Sequence, residues 1–118
     1  MSNNLNELEI SAFAARRRKI MDLEQAIFKS RTHTSLEILI LIAENHFSAK
    51  LSAIYETTKA TDASVRQHLR ALEQLNFIHQ KTDESDGRAK SIVMTEYGQE
   101  QLKHYTQELS ALMAASTK

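Results

Sequence analysis

The chain has 118 residues, enough for one domain with a modest core, and its 42% hydrophobic and 25% charged residues are ordinary for a globular protein. It has no cysteine, which excludes disulfides, thiolate metal sites and cysteine nucleophiles. Its 15 basic residues balance its 15 acidic ones, so any affinity for a polyanion must come from where the cations sit and not from their sum.

Two glycines and no proline predict a mostly helical chain. No apolar run approaches the roughly 18 residues of a membrane span. The opening Met1-Ser2-Asn3-Asn4 lacks the basic-then-apolar order of a secretion signal, so a cytoplasmic location with no membrane partner is expected.

Residues 6–28 form the first helical candidate. Its apolar positions, Leu5, Leu8, Ala12 and Phe13 and then Ile20, Leu23, Ile27 and Phe28, recur in steps of three and four. The basic run Arg16, Arg17, Arg18 and Lys19 lies between the two groups and reads as a solvated face or as a phosphate contact. Thr34 and Glu37 have the spacing of a capping box. Leu36, Ile38, Leu39, Ile40, Leu41 and Ile42 then predict a helix buried on all sides, ending near Asn45 and His46.

Ser48 is a candidate cap for a short helix over 49–57, with Leu51, Ile54 and Tyr55 inward. A turn over 57–60 leads to Thr61, which caps a fourth helix with Asp62 in its first turn. Val65, Leu69, Leu72 and Leu75 form its inner stripe, and Asn76 suits the left-handed conformation at its end. Strands are expected over 77–81 and 90–94, joined by turn-forming residues over 82–87. Thr95 caps a last helix with the stripe Leu102, Tyr105, Leu109 and Leu112.

This order is that of a winged helix-turn-helix: mainly α with a small β-hairpin wing, flanked by long N- and C-terminal helices. A single domain over 1–118 is expected, with an N-terminal helix in 1–30, the winged helix core in 34–95 and the C-terminal helix in 96–118. A helix of this kind suits the DNA major groove, and a cation near a hairpin tip suits the narrow minor groove. The candidate DNA-contacting residues are therefore Thr61, Ala63, Ser64, Arg66, Gln67 and Arg70 around the fourth helix, and Asp86, Arg88 and Lys90 on the wing. Arginine can pair with guanine and glutamine with adenine in a bidentate manner. Asp86, two residues before Arg88, can brace its guanidinium.

The stretch from Ala63 through Glu100 resembles the MarR-type winged helix regulators. Asp86-Gly87-Arg88 matches the D-x-R of their wing, and Met94-Thr95-Glu96-Tyr97-Gly98 matches the L-T-x-x-G after their second wing strand. Asn76 stands where the family usually has glycine. Gln67 takes the common basic position of the recognition helix, and Arg70 a position that is often acidic. The resemblance extends over 36–99 and implies a DNA-binding transcription regulator in which Arg88 enters the minor groove. Family members usually carry more helix after the wing, whereas this chain has one helix there.

A second copy of the chain is the other expected partner. Leu5, Leu8 and Phe13 on the first helix and Leu102, Tyr105, Leu109 and Leu112 on the last exceed what a small core can cover, which points to a homodimer. A small-molecule effector between dimerising helices is a lesser expectation, given the single C-terminal helix. The five histidines show no metal-ligand spacing, and no nucleophile elbow or phosphate loop is present, so neither a catalytic residue, a metal nor another cofactor is expected. The rival reading is a winged helix that binds protein without direct DNA readout, and the zero net charge is the feature in its favour.

Overall fold

Residues 6–29, 33–82 and 89–115 are described by the structure, a computed structural model. In chain order it contains α1 (Glu7–Phe28), α2 (Thr34–Glu44), β1 (Ser48–Lys50), α3 (Leu51–Thr57), α4 (Asp62–Gln74), β2 (Ile78–Thr82), β3 (Lys90–Met94) and α5 (Glu96–Ala115). The chain forms two compact units, one of Thr32–Lys103 and one of Met1–Arg31 with His104–Lys118. No described helix is long and apolar enough to cross a membrane.

The larger unit is the winged helix. Its sheet has the order β1-β3-β2, antiparallel throughout. β2 and β3 pair from Ile78↔Met94 to Thr82↔Lys90, and β1 pairs with β3 from Ser48↔Val93 to Lys50↔Ser91. Against this sheet pack Ile38, Leu39 and Ile42 of α2, Ile54 of α3, and Val65, Leu69 and Leu72 of α4, all buried. Phe77, Ile78, Ile92 and Met94 complete the core.

Three local expectations are corrected. Ser48 does not cap a helix but begins β1, and α3 starts only at Leu51. Strand pairing with Val93 wins because it satisfies the backbone there, and no part of that partnership is local in sequence. Thr34 and Glu37 form no capping box. Glu37 N–H donates to the His33 carbonyl (2.8 Å), so the helix begins one residue earlier and Thr34 already lies inside it. Nor is α2 buried all round: Ile40 is 45% exposed, and Leu36 and Leu41 are half-buried.

The joints of this unit use left-handed residues. His46 (φ 59°) and Phe47 (φ 68°) turn the chain from α2 into β1, and Asn76 (φ 65°) turns it from α4 into β2. Asparagine tolerates this region better than most side chains. Thr95 then ties the two ends of the wing together. Its N–H donates to the Phe77 carbonyl (2.9 Å), its hydroxyl to the Asn76 carbonyl (2.7 Å), and the same oxygen accepts from Gly98 N–H (2.9 Å) to cap α5.

In the smaller unit, Asn6 caps α1 through a reciprocal pair: Glu9 N–H donates to Asn6 Oδ1 (2.9 Å) and Asn6 N–H to Glu9 Oε1 (3.4 Å). Phe28 meets Tyr105 edge-on at 5.2 Å between ring centroids, and the Tyr105 hydroxyl donates to Glu24 (2.7 Å). In the basic run, Arg18 and Lys19 are exposed and Arg16 and Arg17 half-buried, with the Arg16 guanidinium 5.8 Å from the Phe13 ring centroid.

Candidate nucleic-acid interface

The candidate interface is built on α4. Thr61, extended (φ −66°, ψ 157°), accepts from Ser64 N–H at 3.2 Å, and Asp62 adds negative charge at the positive end of the helix. Val65 and Leu72 are fully buried and Leu69 nearly so, which fixes the rotation of α4 about its own axis. A second lock is polar: Ser35 Oγ of α2, itself buried, lies 2.9 Å from His68 Nδ1. His68, half-buried, thus flanks the core as its spacing from Val65 and Leu72 implies.

With that face committed, Ala63, Arg66, Gln67 and Arg70 are exposed and Ser64 is half-buried. Thr61 is exposed but spends its hydroxyl on the cap. Arg66 and Arg70 stand four residues apart, one helical turn, so both guanidinia emerge on one side of α4.

The wing supplies the second element. Lys90 is exposed at the start of β3, opposite Thr82. Asp86 and Arg88 lie outside the described residues, as does Leu5 of the expected dimer surface.

Sequence reasoning did not anticipate a third group. Lys50, Ser52, Tyr55 and Lys90, with Leu51 and Ala89, line an open cavity of about 290 Å³. The register Lys50↔Ser91 brings Lys50 beside Lys90 at one end of the sheet. Tyr55 is half-buried there, not a core residue like Ile54. Without β1 there was no sequence signal that these two lysines meet.

Of the expected dimer residues, Leu8 is 81% and Phe13 54% exposed, while Leu102, Leu109 and Leu112 are half-buried. Tyr105 differs: it is buried by Phe28 and bonded to Glu24, so its side chain offers little surface to a partner.

A helix locked to a core on one side and offering two arginines and a glutamine on the other, followed by a basic-edged hairpin, defines a winged helix of the nucleic-acid-reading kind. The chain belongs to the winged helix DNA-binding domain family, whose model matches residues 34–113. Its fold is that of solved MarR family regulators. It is similar to YusO from Bacillus subtilis (22% identity, TM-score 0.78, covering 93% of this chain and 77% of that one). It is also similar to AbsC, a MarR family transcriptional regulator from Streptomyces coelicolor (19% identity, TM-score 0.67, 94% and 79%). A third is Sco3205, a MarR family transcriptional regulator from the same organism, solved in complex with DNA (16% identity, TM-score 0.66, 96% and 75%). No curated protein matches the chain significantly by sequence.

Proposed function

We propose that this chain is a transcription regulator that binds double-stranded DNA sequence-specifically, with α4 in the major groove and the wing at the adjacent minor groove. One observation carries the reading: Val65, Leu69 and Leu72 anchor α4 so that Arg66, Gln67 and Arg70 are all exposed together. The likeness to Sco3205, solved with DNA, supports it. In this reading Arg66, Gln67 and Arg70 read base edges, Arg88 enters the minor groove braced by Asp86, and Lys90 meets phosphate. Lys50, Ser52 and Tyr55 join Lys90 in holding the phosphate backbone, since lysines and hydroxyls lining one cavity are the groups that such contacts use. The test is selection from random duplexes followed by a salt titration on the selected site. Binding through several phosphates weakens steeply between about 50 and 200 mM salt, whereas an apolar protein interface does not. Failure to select any duplex, with the fold intact, would return the fold to a protein-binding role.

The active form in this proposal is a homodimer. Leu8, Ile10, Phe13 and Met21 of α1 are each more than half exposed (53% to 81%), a load of apolar surface that a partner would relieve. A two-fold pair would set two recognition helices about 34–36 Å apart, one turn of DNA. Sedimentation at tens of micromolar is expected to give a dimer, and Phe13→Glu a monomer of unchanged helicity. A monomeric parent chain would overturn the assignment.

A further inference from the structure

Strand pairing places two lysines in one row across the wing sheet. Ser91 of β3 lies opposite Lys50 of β1 on one side and Lys81 of β2 on the other. Side chains of directly paired residues stand on the same face of a sheet. Ala49 and Ile92, the chain neighbours of Lys50 and Ser91, are buried in the core, so the row Lys50-Ser91-Lys81 points away from it. Both lysines are exposed and Ser91 is half-buried. Lys81 is the last residue but one of β2, so the row lies at the end of the sheet from which the wing loop leaves.

The row is a local excess of cations in a chain whose charges sum to zero. The next row on the same face is Ser48, Val93 and His79, so neither row holds an acid. The side chains of Lys50, Ser91 and Lys81 make no hydrogen bond or ion pair with another described residue. Neighbouring strands are about 4.8 Å apart, so each lysine starts about that far to one side of Ser91. The four-carbon stem of lysine crosses such a gap. Two ammonium groups and one hydroxyl can thus converge on a single anion at Ser91.

We propose that Lys50, Ser91 and Lys81 hold one phosphate of the DNA backbone beside the minor groove that receives the wing. This site rests on the reading of α4 and the wing as a DNA surface, and it adds Lys81 and Ser91 to the contacts. A hairpin that enters the minor groove, about 6 Å wide, lies between two phosphate backbones, and each of its faces meets one of them. The outward face of the wing then needs donors for phosphate, which lysine and serine supply. Lys50 also lines the cavity that holds Lys90, so the basic surface continues from that cavity across the sheet to Lys81.

The test uses the full chain and the duplex selected for it. Lys81→Ala is expected to weaken the selected and a random duplex by similar factors, about three- to tenfold, and to lower the salt slope by about one per chain. Lys81 is exposed, so this variant is expected to keep the parent's midpoint in urea. Ser91→Ala is expected to weaken both duplexes about threefold, and Ser91→Thr, which keeps the hydroxyl, to match the parent. Single uncharged methylphosphonates are then placed in turn along both strands of the selected duplex. At one phosphate beside the wing the parent is expected to lose affinity, and the further loss in Lys81→Ala to be about threefold smaller, since the variant already lacks part of that contact. If the parent binds but Lys81→Ala keeps its affinity and salt slope, or if the losses add fully at every phosphate, this site is overturned and the DNA reading stands. A parent chain that binds no duplex would overturn both.

Discussion

Gly98 packs so closely on Phe77 that a Cβ at position 98 would overlap the Phe77 carbonyl oxygen and come within 3.0 Å of the Met94 side chain. The same carbonyl accepts from Thr95 N–H, so the start of α5 and the entry to β2 are held by one oxygen. This gives a physical reason for the threonine and glycine of Met94-Thr95-Glu96-Tyr97-Gly98: one bonds both ends of the wing, and the other allows the helix to lie against it.

Gly98→Ala therefore sets two effects against each other. Alanine is the better helix former by about 1 kcal/mol. The methionine can move aside, but the carbonyl cannot without shifting β2, and such overpacking costs about 1–3 kcal/mol. The clash is expected to win, with a net loss of up to about 2 kcal/mol read as a lower midpoint in urea. A variant as stable as the parent would mean that the contact is looser than described.

Asn76 is the second position where backbone conformation decides the residue. At φ 65° it is left-handed, and the next N–H, that of Phe77, returns to the Leu72 carbonyl (3.0 Å). Asn76→Ala is expected to cost about 1 kcal/mol and Asn76→Gly to match or exceed the parent. Thermal unfolding of the two variants checks the order, and the reverse order would sink the explanation.

What the sequence disclosed follows from how local each cause is. The inner stripe of α4, its Thr61 cap and the left-handed Asn76 are written within a few residues of one another, and all three are observed. β1 was missed because three residues carry no periodicity, and Ser48 looks locally like a helix cap. Only the partner strand β3 makes it a strand, and only that pairing brings Lys50 to Lys90. Ile40 was misjudged for a related reason. An unbroken apolar run does not say which side is covered, and Ile40 lies on the side that is not.

Tyr105 couples the smaller unit to pH. Burial first, then the hydrogen bond and negative charge of Glu24, push the phenol well above its ordinary range, against a smaller opposing effect of Arg17. A raised folded-state pKa means that the neutral phenol is favoured by folding. Its contribution is full below the unfolded value of about 10 and is lost as pH rises beyond it towards the folded value. Tyr105→Phe is expected to cost about 1 kcal/mol at about pH 8, through the lost 2.7 Å bond to Glu24. Between about pH 10 and 12 the parent is expected to lose stability faster than the variant, so that the gap narrows. A gap that stays constant across that range would show that the phenol does not titrate with unfolding.

The last prediction separates reading from holding at the DNA interface. Arg66, Gln67 and Arg70 face outward from α4, so each is expected to contribute to the choice of bases. Replacing any one with alanine is expected to cost about 1–3 kcal/mol on the selected site and to relax preference at one position, with little effect on random duplex. Lys50 and Lys90 lie together at the sheet end, away from the base-reading side chains in sequence and on different strands. Lys50→Ala and Lys90→Ala are each expected to weaken selected and random duplex by similar factors and to lower the salt slope by about one. Arg88→Ala is expected to behave in the same way, and Asp86→Ala as a milder form, because it removes the brace and leaves the cation. Binding of each variant to both duplexes across a salt series distinguishes the groups. If the lysine variants lose preference for the selected site but keep the parent's salt slope, then this end of the sheet reads bases and the division of labour is wrong.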